Sequence, residues 1–123
     1  MDKETLEAIQ RLGAAVPNEE KRRDAFAAYL ESYAQDEGLE LADITDAQRL
    51  ELKPRWASTL LAEVYPSDVV TAARVVKEPT PIVRDLKMGS VRAKKVKPDG
   101  TPNRVWILAR DLEHLLAVLA KQG

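Results

Sequence analysis

Five cations, Arg92, Lys94, Lys95, Lys97 and Arg104, fall close together in the last third of the chain, and Asp99 alone opposes them. Lysine and arginine at that density suit an anionic polymer: at a loop tip they fix phosphates in place without reading sequence. Shortly before them, Thr80, Arg84 and Lys87 share the polar side of a short helical pattern, opposite Val83 and Leu86. An arginine on such a helix can form two bonds to a guanine edge in the major groove. The same residues also suit blander roles, a solvated helix face and an edge hairpin kept soluble by lysines.

Catalytic chemistry finds little support. There is no cysteine, so disulfides, Cys-ligated zinc and thiol catalysis are excluded. His114 is the only histidine, and Asp111 lies one helical turn before it. Without a nucleophile or metal cluster nearby, the two read as a surface pair or a cap. Ser32, Ser58, Ser67 and Ser90 lie in no nucleophile elbow, and Glu19-Glu20 and Asp36-Glu37 suit helix ends better than a metal. No glycine-rich phosphate loop is present. The expectation is a protein that is not an enzyme, with no cofactor and no metal.

Charge divides the chain. Ser67 to Gly123 carries eleven Lys/Arg against six Asp/Glu, a net +5, whereas Met1 to Leu50 carries six against twelve, a net −6. The total of −1 hides this split, which predicts a basic binding module at 67–123 joined to an acidic helical module at 1–66 for dimerisation or partner binding. No apolar run approaches the 18 or so residues of a membrane span. The charged start Met1-Asp2-Lys3-Glu4 lacks an apolar signal core, which predicts a cytoplasmic protein.

These residues need elements to position them. Leu6, Ile9, Leu12 and Val16 recur at helical spacing and predict a helix from Lys3 to Ala15, ended by Pro17. Asn18 can cap a second helix with Glu19 and Glu20 in its first turn; Phe26, Tyr29, Leu30 and Tyr33 form its apolar stripe, and Gly38 stops it. Thr45 to Gln48 fits a capping box. The helix it opens meets Pro54, which should kink or split it. Trp56, Leu60 and Val64 then lie on one face of a segment ending at Tyr65-Pro66. Ser67 can cap a helix bearing Val69, Ala72, Ala73 and Val76, and Thr80-Pro81 opens another that Gly89 closes. Val91 to Val96 and Arg104 to Ala109 read as paired strands joined through Pro98-Asp99-Gly100. A final helix from Arg110 to Lys121 places Leu112, Leu115, Leu116 and Leu119 on one stripe.

In this order the C-terminal residues resemble the excisionase/MerR-like winged helix-turn-helix family. The resemblance rests on Val70 to Val76 for the first helix, and on Thr80 to Leu86 with Gly89 for the second. Arg104-Val105-Trp106-Ile107 follows the wing, and Asp111-Leu112-Glu113 with Leu115-Leu116 opens the leucine-rich helix. It spans less than half of the chain. The turn, Lys77-Glu78-Pro79, departs from that family's glycine and small residue, and 1–66 has no counterpart there.

The resemblance implies duplex DNA as the partner, with Thr80, Arg84, Lys87, Arg92, Lys94, Lys95, Lys97 and Arg104 in contact. The function expected is a sequence-specific regulatory or recombination-accessory DNA-binding protein. The fold expected is mostly α with one β-hairpin, an N-terminal helical bundle plus a C-terminal winged helix-turn-helix. Trp56 and Trp106 are both expected in the core. Small winged modules often act as two-fold dimers, and the Phe26/Tyr29/Leu30/Tyr33 and Leu6/Ile9/Leu12 stripes are candidate seams as well as candidate core. The rival reading is a protein-binding adaptor or inhibitor in which the winged fold is a scaffold; Glu78 and the near-neutral total charge favour it.

Overall fold

A computed structural model describes residues 2–77, 99 and 104–122. The expected class holds: the chain is mostly helical, with one two-stranded antiparallel sheet among the described residues. It forms two compact units, Met1–Val16 with Leu61–Gly123 and, separately, Pro17–Leu60. This partition differs from the halves 1–66 and 67–123, because the first helix packs with the C-terminal elements.

The acidic unit holds α2 (Glu19–Glu37), a 3-10 turn at Leu41–Asp43 and α3 (Asp46–Ala57). Its ends follow local chemistry. The Asn18 side chain accepts from the Lys21 amide at 2.8 Å, and Gly38 takes the left-handed conformation (φ 68°) that closes α2. Thr45 and Gln48 form the reciprocal capping box at the start of α3. Leu30, Ala34, Ile44 and Leu52 make the core, with Phe26, Tyr29 and Tyr33 packed against it. Trp56 is buried, its ring 5.1 Å from that of Phe26 at 52°. The helix runs on past Pro54 to Ala57.

The other unit holds α1 (Lys3–Ala15), β1 (Leu61–Val64), α4 (Pro66–Arg74), β2 (Val105–Leu108) and α5 (Ala109–Gln122). Two expectations are corrected here. Trp56, Leu60 and Val64 do not share one element: α3 ends at Ala57, the chain turns at Ser58 and Thr59, and Val64 lies in β1. The cap of α4 is Tyr65 with Pro66 at the first helical position, two residues earlier than Ser67. Strand β2 pairs antiparallel with β1, in the register Leu61 with Leu108, Ala62 with Ile107, Glu63 with Trp106 and Val64 with Val105. The strand expected at Val91 to Val96 lies outside the described residues.

Antiparallel partners share a face, so the register sorts the sheet. Ala62, Val64 and Ile107 point into a core completed by Leu12 of α1, Val69 and Ala72 of α4, and Leu112, Leu115 and Leu119 of α5. The stripe on α1 is therefore largely spent inside the unit: Leu12 is buried, and only Leu6 stays well exposed. The Gln122 side chain closes the far end of α4, donating to the Val75 carbonyl at 2.7 Å and accepting from the Lys77 amide at 2.9 Å.

Candidate nucleic-acid interface

Of the eight residues expected to meet DNA, Arg104 is the one the structure describes. Thr80, Arg84, Lys87, Arg92, Lys94, Lys95 and Lys97 lie outside the described residues, as do the spans expected to form a second helix and a wing. The described residues of the expected motif are α4, with Val69 and Ala72 buried, and the strand-to-helix junction, where β2 passes into α5 at Leu108 and Ala109 without a loop.

Arg104 enters β2 from the solvent side. Its Nη2 donates to the Tyr65 hydroxyl at 2.8 Å, its Nη1 lies 3.6 Å from Glu63 Oε2, and its guanidinium carbon stands 4.7 Å from the centre of the Tyr65 ring. The Tyr65 hydrogen bond, then the Glu63 charge, hold its pKa above the ordinary guanidinium value. The arginine thus keeps its charge but shares it with a carboxylate. Neither Tyr65 nor Glu63 stood out in the sequence, because each lies about forty positions from Arg104 and no local pattern links them.

Trp106 corrects the expectation of a buried side chain. It is 63% exposed, across from Glu63 on the outer face of the ribbon, while its neighbour Ile107 fills the core. One position of strand parity decides this. At the start of α5, Arg110 lies 3.9 Å from Asp111, and His114 is exposed. Asp111 therefore sits where a helix N-terminus favours a negative charge. In the acidic unit, Tyr33, Gln48, Glu51, Leu52 and Arg55 line an open cleft of about 360 Å³. Among the described residues no group of three His, Asp or Glu side chains is placed to hold a metal, and no helix is long and apolar enough to cross a membrane.

The charge split persists between the two compact units. Met1–Val16 with Leu61–Gly123 carries thirteen Lys/Arg and ten Asp/Glu, a net +3, and Pro17–Leu60 carries six and ten, a net −4. In comparisons with known proteins, no family model, curated protein or solved structure matches this chain.

Proposed function

We propose that this chain is a sequence-specific DNA-binding regulatory or recombination-accessory protein of the winged helix-turn-helix kind, acting as a homodimer in the cytoplasm. The observation that carries the reading is the segregation of charge: a unit of net +3 that contains every cation of the motif, beside an acidic unit of net −4. Positive charge gathered in one module lowers the cost of approaching phosphates, and a separate acidic module does not take part in that approach. Arg84, with Thr80 and Lys87, reads bases from the second helix; Arg92, Lys94, Lys95 and Lys97 hold the backbone. Arg104 contributes less, since Glu63 already neutralises part of its charge. The acidic unit is the surface for a basic protein partner.

Binding of the full chain to duplexes selected from a random pool tests this. Arg84→Ala should lose about 1–3 kcal/mol at the selected site and much less on random duplex. Lys94→Ala with Lys95→Ala should weaken all duplexes alike. Equal, salt-independent losses for both would mark a folding defect, and no loss for either would favour the adaptor reading. That second reading has an observation of its own: the described part of the ribbon is charge-neutral and apolar at its centre, as protein-binding faces are.

A further inference from the structure

Helix α4 ends at Arg74, and two of its last carbonyls find partners close by. The Val75 amide donates to Ala72 and Ala73, and the Val76 amide donates to Ala73 at 3.2 Å. The Val75 carbonyl and the Lys77 amide, on either side of Val76, are answered from 47 and 45 positions away. One side chain serves both: Gln122 donates through Nε2 to the Val75 carbonyl at 2.7 Å and accepts through Oε1 from the Lys77 amide at 2.9 Å. A carboxamide carries donor and acceptor in a single plane, so it can meet a peptide backbone much as a neighbouring strand does. Two bonds from one planar group fix an orientation as well as a distance.

Gln122 stands on a firm base. It belongs to α5, whose Leu115 and Leu119 are buried in the core, and Val75 and Val76 pack partly buried against that same core. The path on which the chain leaves α4 is therefore held by two valine contacts and one carboxamide. Both hydrogen bonds are exposed, so they contribute little to stability. Placement is a separate matter, because a weak bond to a fixed support still selects one course for the backbone.

That course matters to the proposed reading of bases, on which this inference rests. Thr80, Arg84 and Lys87 follow Lys77 by three, seven and ten positions. A two-pronged contact with a base edge demands placement to within about 0.5 Å. Attraction to a phosphate varies slowly with distance and tolerates much more. We propose that Gln122 is a positioning residue for sequence discrimination. By clasping the Val75 carbonyl and the Lys77 amide it sets the course of the chain toward Thr80, Arg84 and Lys87. It touches no nucleic acid itself and adds nothing to the binding of arbitrary duplex.

Anisotropy of the full chain on two labelled duplexes tests this, one duplex selected by the parent chain from a random pool and one of random sequence. Hydrogen exchange of the Lys77 amide, read by NMR, accompanies it. Gln122→Met keeps the length of the side chain without its polar atoms, and Gln122→Glu keeps the acceptor for Lys77 but loses the donor to Val75. The ratio of the two dissociation constants should fall about tenfold in Gln122→Met, within the range that one base contact supplies, and less in Gln122→Glu. Affinity for the random duplex should stay within about twofold of the parent, with its salt slope unchanged, because no phosphate contact is lost. Lys77 exchange should rise in Gln122→Met. A parent chain that binds no duplex, or binds both alike, overturns the sequence-specific reading and the inference with it. A parent that discriminates, with a ratio unchanged in Gln122→Met, overturns the inference alone. Equal losses on both duplexes mark a fold-wide effect and overturn it too. Unchanged Lys77 exchange in Gln122→Met shows that no clasp forms in solution and overturns it as well.

Discussion

Arg11 and Asp68, 57 positions apart, form a two-pronged ion pair that ties α1 to the first turn of α4. Arg11 Nε donates to Oδ2 at 3.0 Å and Nη2 donates to Oδ1 at 2.9 Å. The two ends differ in environment: the Arg11 side chain is half exposed and that of Asp68 is 6% exposed. The hydrogen bonds to Asp68 hold the Arg11 pKa above its ordinary value. A cation raised in this way stabilises the fold throughout the neutral range and loses that contribution only in strong alkali, as pH climbs through its folded value.

The asymmetry predicts unequal mutants. Arg11→Ala leaves a buried carboxylate without its partner and should cost about 2–4 kcal/mol. Asp68→Ala leaves a half-exposed guanidinium that water can serve, and should cost about 1–2 kcal/mol. Urea unfolding of both variants and of the double mutant measures the coupling. A larger loss for Asp68→Ala than for Arg11→Ala would mean that the carboxylate contributes mainly through the N-terminal dipole of α4.

The two tryptophans should behave as opposites. Trp56→Ala should cost about 3–5 kcal/mol, as expected for a large aromatic truncated in a core, and Trp106→Ala less than about 1 kcal/mol. Iodide should quench Trp106 readily and Trp56 poorly at low protein concentration. Equal protection of both would return Trp106 to the interior.

That contrast marks what could be read from the sequence. Helix ends written in local chemistry were legible: the Asn18 cap, Gly38, the Thr45/Gln48 box and the span Lys3 to Ala15 all stand as expected. Strand β1 was not, because Trp56, Leu60 and Val64 fit a helical period as well as Leu60, Ala62 and Val64 fit an alternating one. Its pairing with residues more than forty positions away decides between them. Val105-Trp106-Ile107-Leu108 is apolar throughout, so no polar residue reveals which side faces in. The docking of α1 on α4 is equally non-local, and the Arg104–Tyr65–Glu63 cluster follows from the same strand pairing.

The Asp2 cap should be sensitive to acid. Its carboxylate accepts from the Thr5 amide at 2.7 Å, and hydrogen bonding by Thr5 lowers its pKa below the usual carboxylate range. A lowered value means stability that is present above the ordinary carboxylate pKa and lost as pH falls through the folded one. Asp2→Ala should therefore melt below the parent at pH 7, and the gap should close as pH falls below the ordinary carboxylate range. A gap that persists in acid would place the effect outside the cap.

Gln122→Ala removes both hydrogen bonds at the end of α4. Both are solvent-accessible, so the loss should be modest, about 0.5–1 kcal/mol. Hydrogen exchange of the Lys77 amide should rise in the variant, and an unchanged rate would show that water serves that amide as well as the side chain does.

The DNA-binding reading stands or falls most directly on the salt dependence of duplex binding by the purified full chain, followed by anisotropy of a labelled random-sequence duplex. Four phosphate contacts from Arg92, Lys94, Lys95 and Lys97 predict a log–log slope of about −3 to −4, since each contact contributes about 0.9. Lys94→Ala with Lys95→Ala should flatten that slope by nearly two. No change in anisotropy at low salt, or binding whose slope is unchanged by the double substitution, would contradict it.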